Sequence, residues 1–200
     1  MCNLYTPEHN RAVLAKLFDA TWSDNVAEWK ADAYPKYQAP IMRIDGGARI
    51  LETMAWGVPM IIPGKRPGTT ITKHVTNVRN LASPFWKSML NEPSRRCLVP
   101  FSRFAEPRPG KDPETGRPAQ YWFKVNDAPV SAFAGIWRPS EDGKVFAFLT
   151  CEPNPLVAPL HPKAMPVILQ PEDYEQWLAA DYERACALAT PFPSQLMSVS

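Results

Sequence analysis

The chain has 200 residues, 45% of them hydrophobic, with 7 Trp, 6 Tyr and 9 Phe, which is enough apolar volume for one globular domain spanning 1–200. Its first thirty residues contain no apolar run of the signal-peptide kind and no eighteen-residue apolar stretch follows, so a membrane-spanning helix is excluded and a cytoplasmic protein is expected. The net charge of +2 hides an asymmetry: from Lys65 to Lys111 ten lysines and arginines meet only Glu92 and Glu106, a surplus of eight that leaves the rest of the chain at −6.

The chain opens Met1-Cys2-Asn3-Leu4-Tyr5. Removal of Met1, as a small second residue favours, gives Cys2 a free α-amine of pKa about 7.7–8.0 beside a thiol of about 8.5. Such a 1,2-aminothiol reacts with an aldehyde twice: the amine forms a Schiff base and the thiol closes a five-membered thiazolidine. Thr6-Pro7-Glu8 has the order of an N-cap and a first-turn proline, and Val13, Leu14, Leu17 and Phe18 recur at helical spacing, which predicts a helix from Pro7 to Phe18. A helix so close to Cys2 ties the terminus to the fold.

Ala48 to Trp56 reads as the first strand. Asn77 and Arg79 are two apart, so in extended chain they project the same way; an amide suits an amine or a sugar oxygen, and a guanidinium suits a phosphate. Ser83-Pro84 starts a short helix carrying Phe85, Trp86, Met89 and Leu90. Strand Arg96 to Phe104 follows and leads to Glu106, which beside apolar neighbours is a candidate general acid or base; an ordinary loop glutamate has the same sequence context. The stretch from Glu106 to Gln120 reads as an exposed loop insertion.

Strands are then expected at Gln120–Val125, Val130–Trp137, Val145–Thr150 and Met165–Leu169, with a last helix after Pro171. Of His9, His74 and His161, the third lies between a proline-bracketed turn and a strand, a setting suited to proton transfer and equally to a structural hydrogen bond. Strands succeed one another without intervening helices, which implies an α+β fold with a mainly antiparallel, partly closed barrel-like sheet flanked by short helices. Cys97, Cys151 and Cys186 sit in apolar stretches and read as buried free thiols, without the pairs that mark zinc; no metal or cofactor is expected.

The basic segment interleaves cations with Phe85, Trp86, Phe101 and Phe104, the mixture that single-stranded nucleic acid uses, phosphates on the charges and bases on the rings. The same pattern arises when the rings are core and the charges a solvated face.

An N-terminal Met-Cys, an Asn-x-Arg motif, "RRCLVPFSRFAEP", "FAGIW", "FAFLTCEPN" and "HPKAMPVIL" occur in this order across almost the whole chain. The set resembles the SOS response-associated peptidase family of abasic-site processing proteins. The resemblance implies a protein that joins Cys2 through a thiazolidine to the aldehyde of an abasic site in single-stranded DNA, with lyase-like Schiff-base chemistry and an autopeptidase activity that exposes Cys2. It implies that Asn77 positions the amine, that Glu106 shuttles protons, and that His161 assists sugar ring opening. Arg79 and Lys163 match DNA-contacting positions, and Trp56, Trp86, Arg95 and Arg96 complete the expected DNA surface of a monomer acting without a membrane. The chain departs from the family pattern at Asn3-Leu4, where an arginine is usual, at Pro107, where an aromatic commonly follows the glutamate, and in one extra residue between His161 and Met165. Two other readings use the same features: an N-terminal-nucleophile amidohydrolase acting on small amides, and a non-catalytic single-strand binder for which Cys2 is dispensable.

Overall fold

The computed structural model describes residues 2–8, 10–24, 26–141 and 143–200; Met1 and His9, considered above, lie outside them. Among the described residues the strands are β1 (Leu4–Thr6), β2 (Thr21–Trp22), β3 (Gln38–Asp45), β4 (Ala48–Trp56), β5 (Val58–Pro63), β6 (Thr70–Val75), β7 (Asn77–Val78), β8 (Arg96–Phe101), β9 (Arg103–Lys111), β10 (Pro118–Val125), β11 (Ser131–Ser140), β12 (Gly143–Cys151), β13 (Met165–Pro166), β14 (Ile168–Leu169) and β15 (Met197–Val199). The helices are α1 (Arg11–Phe18), α2 (Pro84–Leu90), α3 (Tyr174–Ala179) and α4 (Tyr182–Cys186). No helix is long and apolar enough to cross a membrane.

Strands β12, β11, β8, β3 and β4 pair antiparallel in that order, and β4 returns to β12 through a parallel contact at Ala55–Val145 and Trp56–Phe146. This closes a five-stranded barrel in an α+β fold whose pairings are mostly antiparallel. Closure removes the sheet edges that would otherwise present unpaired backbone groups.

The barrel has two unlike ends. Cross-strand register puts Glu52, Met54 and Trp56 of β4 on one face with Ile41 and Ala39 of β3. At the end marked by the β3–β4 turn, Arg43, Glu52 and Lys144 form ion pairs. At the other end Phe101 stacks on Phe133 at 3.8 Å, Phe133 meets Phe148 at 4.6 Å, and Phe148 stacks on Trp56 at 5.1 Å. Gly135 permits this packing, since a Cβ there would come within 2.7 Å of Val99 and 2.8 Å of the Cys97 sulfur.

Tyr5 plugs the aromatic end. Its ring makes edge contacts with Trp56, Phe133 and Phe148 at 5.1–5.9 Å and is fully buried. Its backbone exchanges hydrogen bonds with Ala33, and β1 pairs with β9 at Leu4–Ala105, Tyr5–Phe104 and Thr6–Arg103. The chain start is thus fixed by a buried ring and two ladders, and Cys2 is held three residues away.

Several boundaries differ from the sequence expectation. Helix α1 is capped by Asn10, whose side chain accepts from the amides of Ala12 and Val13 at 3.0 and 3.2 Å, and Thr6 belongs instead to β1. The expected strand Arg96 to Phe104 breaks at Ser102 into β8 and β9. The expected loop from Glu106 to Gln120 is largely a hairpin: β9 and β10 pair from Phe104–Phe123 out to Lys111–Pro118, with a register shift between Gln120 and Pro118. β10 also pairs with β15, giving the four-stranded sheet β1-β9-β10-β15 beside the barrel.

Candidate active site

Cys2 lies at the aromatic end of the barrel with 1% of its surface exposed. Its thiol donates to the Leu4 carbonyl at 3.3 Å, and its own carbonyl accepts from Asn77 Nδ2 at 2.9 Å. Asn77 is placed by β7, a two-residue strand that pairs with β12 at Phe148 and leaves the amide facing the chain start. The same Nδ2 donates to Thr76 Oγ1 at 2.8 Å, while Asn77 Oδ1 is buried without a hydrogen-bond partner among the described residues. A buried acceptor left open beside Cys2 can receive an N–H at low cost, because burial has already removed its water.

Glu106 comes from β9, two residues beyond the core ring of Phe104, and alternation turns it inward to complete burial. Burial pushes its carboxyl up to about 7, because the charged form has lost its water. His161 Nε2 lies 3.4 Å from Glu106 Oε2, and its Nδ1 is 2.8 Å from the Ala164 carbonyl. A carbonyl only accepts, so Nδ1 carries the proton and Nε2 of the neutral ring faces Glu106 as an acceptor. Burial lowers the pKa of His161. Both shifts favour one arrangement, a protonated carboxyl beside a neutral imidazole. The Cys2 thiol is held well above the usual thiol range, first by burial and then by the charge of Glu106.

The structure therefore brings together Cys2, Asn77, Glu106 and His161 from four distant parts of the chain. Lys163, two residues beyond His161, is exposed beside them. The other expected contacts lie elsewhere. Arg79 is at the surface in an ion pair with Glu152, so it and Asn77 meet different partners although they are two apart. Trp56 is wholly buried in the barrel, and Trp86 is 5% exposed against Phe85, so neither offers a face to a base. Arg96 is wholly buried, donating to the carbonyls of Leu90, Trp177 and Ala180, and acts as a brace between β8 and α3. Arg95 stacks over Trp137 at 4.8 Å at the far end of the barrel. Phe101 and Phe104, which interleave with the cations in sequence, are core rings at 0% exposure.

A cavity of about 890 Å³ meets the buried cluster at Asn77 and is lined there by Asn3, Leu4 and Ala105, chain neighbours of Cys2 and Glu106. Asn3 and Asn77 line its inner part, and two hairpins flank it, β5–β6 contributing Lys73 and β9–β10 contributing Arg108 and Arg117. Two of the ten cations of the basic segment, Lys73 and Arg108, thus face one cleft from two hairpins, with Asp112 beside Arg108 and Arg117 on the second, a partition visible only once the strands pair. Among the described residues no group of three or more His, Cys, Asp or Glu could hold a metal ion.

A family model described as "SOS response associated peptidase (SRAP)" matches residues 1–200. No curated protein matches the chain. Among solved structures, the fold is similar to that of a protein from Bordetella bronchiseptica, 24% identical over 100% of this chain and 98% of that one, with a TM-score of 0.77. A protein from Bacteroides thetaiotaomicron is 19% identical over 99% and 90% of the two chains, with a TM-score of 0.74. A phage-related protein of Bordetella bronchiseptica is 23% identical over 100% and 93%, with a TM-score of 0.69.

Proposed function

Because the chain belongs to the SOS response associated peptidase family, we propose that it is a DNA-damage-response protein whose Cys2, once Met1 is removed, captures the aldehyde of an abasic site in single-stranded DNA as a thiazolidine. The observation that carries this reading is the convergence of a protonatable, buried Glu106 with His161 on the one cysteine whose backbone is fixed by a buried amide.

The chemistry runs in two steps. The α-amine of Cys2, oriented by the open Oδ1 of Asn77, adds to the C1′ aldehyde and forms a carbinolamine. Glu106 in its acid form gives a proton to the departing hydroxyl; water leaves, an iminium forms, and Glu106 is left as the carboxylate. The thiol then adds to the iminium carbon while Glu106 takes its proton, which closes the ring, neutralises the nitrogen and restores the acid. The balance is aldehyde plus aminothiol to thiazolidine plus water. His161, whose neutral Nε2 faces Glu106, serves as the acceptor for the sugar hydroxyl proton during ring opening.

The raised pKa of the thiol supports this order of events. A thiolate-first attack, as a cysteine hydrolase uses, calls for a lowered thiol pKa, whereas here the sulfur stays protonated until a base takes its proton.

The test is incubation of the processed protein with a single strand containing one abasic site, followed by a denaturing gel. A heat-stable shifted band is expected, and Cys2→Ala should abolish it. The reading fails if fully processed protein gives no band, or if Cys2→Ala still gives one.

A further inference from the structure

The seven tryptophans of the chain divide by what their indole N–H does. Trp22 donates to Arg11, Trp29 to Glu8, Trp56 to Thr76, Trp137 to Ser94 and Trp177 to Cys97, in each case to a main-chain carbonyl at 2.9–3.2 Å. These rings are tied into the fold. Trp86 is buried. Trp122, like Trp86, has no indole acceptor among the described residues, but unlike Trp86 it is half-buried and lines the large cavity.

Its position follows from strand alternation. In β9 and β10, Phe104, Glu106 and Phe123 face inward, and Ala105 and Trp122 pair directly on the opposite face. Leu4 pairs with Ala105 on one side, and Trp122 exchanges backbone hydrogen bonds with Ser200 on the other, at 2.9 and 3.0 Å. The ring therefore stands on the cleft floor, one strand away from the residue that precedes Glu106. Arg103 lies over it, with the guanidinium carbon 4.0 Å from the ring centroid. Arg103 Nε donates to Thr6 Oγ1 at 3.1 Å, which fixes the guanidinium and leaves its terminal nitrogens without an acceptor among the described residues.

We propose that Trp122 is the stacking platform for the nucleobase next to the abasic site, with Arg103 covering one face of the ring and offering its terminal N–H groups to the adjoining phosphate. This deepens the function proposed above and rests on it. A large aromatic beside a cation, half-open in a cleft with an undonated N–H, has the composition of a sequence-tolerant single-strand site. A brace that merely shields the sheet is the competing role.

The two roles separate on undamaged DNA, where no aldehyde exists. Affinity is measured by anisotropy for a short single strand with its bases and for a strand of equal length built wholly of tetrahydrofuran abasic analogues. The wild-type protein should prefer the strand with bases. Trp122→Ala should weaken that strand by about 5- to 150-fold and leave the base-free strand unchanged, while Trp122→Phe keeps most of the preference. Should Trp122→Ala fail to fold, judged by circular dichroism, Trp122→Leu takes its place. In addition, quenching of tryptophan fluorescence by the base-containing strand should be present in the wild type and lost in Trp122→Phe. Equal losses on both strands, or a wild type indifferent to bases, overturns the platform. Because no crosslink forms in this assay, that outcome is distinct from a missing band on the denaturing gel, which would sink the crosslinking function instead.

Discussion

Glu52 and Glu106 are both buried carboxylates in strands of the same small protein, yet their surroundings are opposite. Glu52 meets the Arg43 guanidinium and the Lys144 ammonium, the latter at 2.7 Å, inside a cluster that stacks on Trp137. Glu106 meets an imidazole at 3.4 Å that burial keeps neutral. The first carboxylate is compensated by fixed cations on two sides. The second is held by a neighbour that can take or return a proton, so its charge is adjustable near pH 7. A barrel of this size can thus assign one end to ionic bracing and the other to proton transfer, and the distinction lies in the partner rather than in the residue type.

The comparison breaks most visibly on catalysis. Glu106→Gln keeps the shape and removes the titratable proton, so the crosslinking rate with an abasic strand should fall by about 10²- to 10⁴-fold with folding intact. Glu52→Gln should leave the rate per folded molecule unchanged. Rates read from time courses on denaturing gels check both, and a near-normal rate for Glu106→Gln would remove it from the proton path.

Stability should answer in the other direction. Glu52→Ala leaves Arg43 buried without its main partner, and loss of one member of a buried pair costs about 3–5 kcal/mol, measured by urea unfolding. Glu106→Gln replaces a group that prefers to be neutral with one that always is, and should be no less stable than the wild type at pH 8.

This contrast shows where the sequence was legible. The strand Ala48–Trp56 is read with its observed ends because Ile50, Thr53 and Trp56 lie in a mostly apolar stretch that holds no proline or glycine between the pair Gly46-Gly47 and Gly57. No local pattern in the sequence links Cys2, Asn77, Glu106 and His161; only the ordered motifs name the four together. β3 carries no clear strand signal because Pro40 argues against one; the proline is tolerated since β3 pairs along its length with β4 but with β8 only at Met42–Leu98. The hairpin arm of β9 and β10 was hidden by Pro107, Pro109 and Pro118, and the register shift near Pro118 absorbs part of that cost. In sequence Arg96 and Trp56 read as surface residues, because a charge run and an indole carry no mark of the side they face. Only the cross-strand pairing supplies the phase that sends Arg96 inward and Lys73 outward.

A smaller effect sharpens the Glu106 side. Its folded pKa, about 7, lies above the unfolded value near 4.3. Between these values the folded chain binds the extra proton, so this group makes stability fall as pH rises, by at most about 1.4 kcal/mol per unit, with no slope below or above the window. His161 works in the opposite sense: its lowered folded pKa adds stability as pH rises toward its unfolded value. Subtraction against Glu106→Gln isolates the carboxyl, and the advantage of the variant should grow from about pH 4.5 to about pH 7 and then level. A difference that stays constant across that range would mean that Glu106 is ionised in the folded protein.

The smallest effect tests the two barrel ends as DNA surfaces. Binding to single strands should weaken with salt, with a slope of about −0.7 in log affinity per log salt for each phosphate neutralised. Lys73 and Arg108 line the cleft that meets the Cys2 cluster at Asn77, whereas Arg95 lies over Trp137 at the ionic end, with Glu92 at 3.7 Å. Lys73→Ala and Arg108→Ala should therefore each flatten the slope by about 0.7, and Arg95→Ala should leave it unchanged. The reverse result would route the strand past the ionic end, away from Cys2, and a strand on that path could not present its aldehyde to the amine.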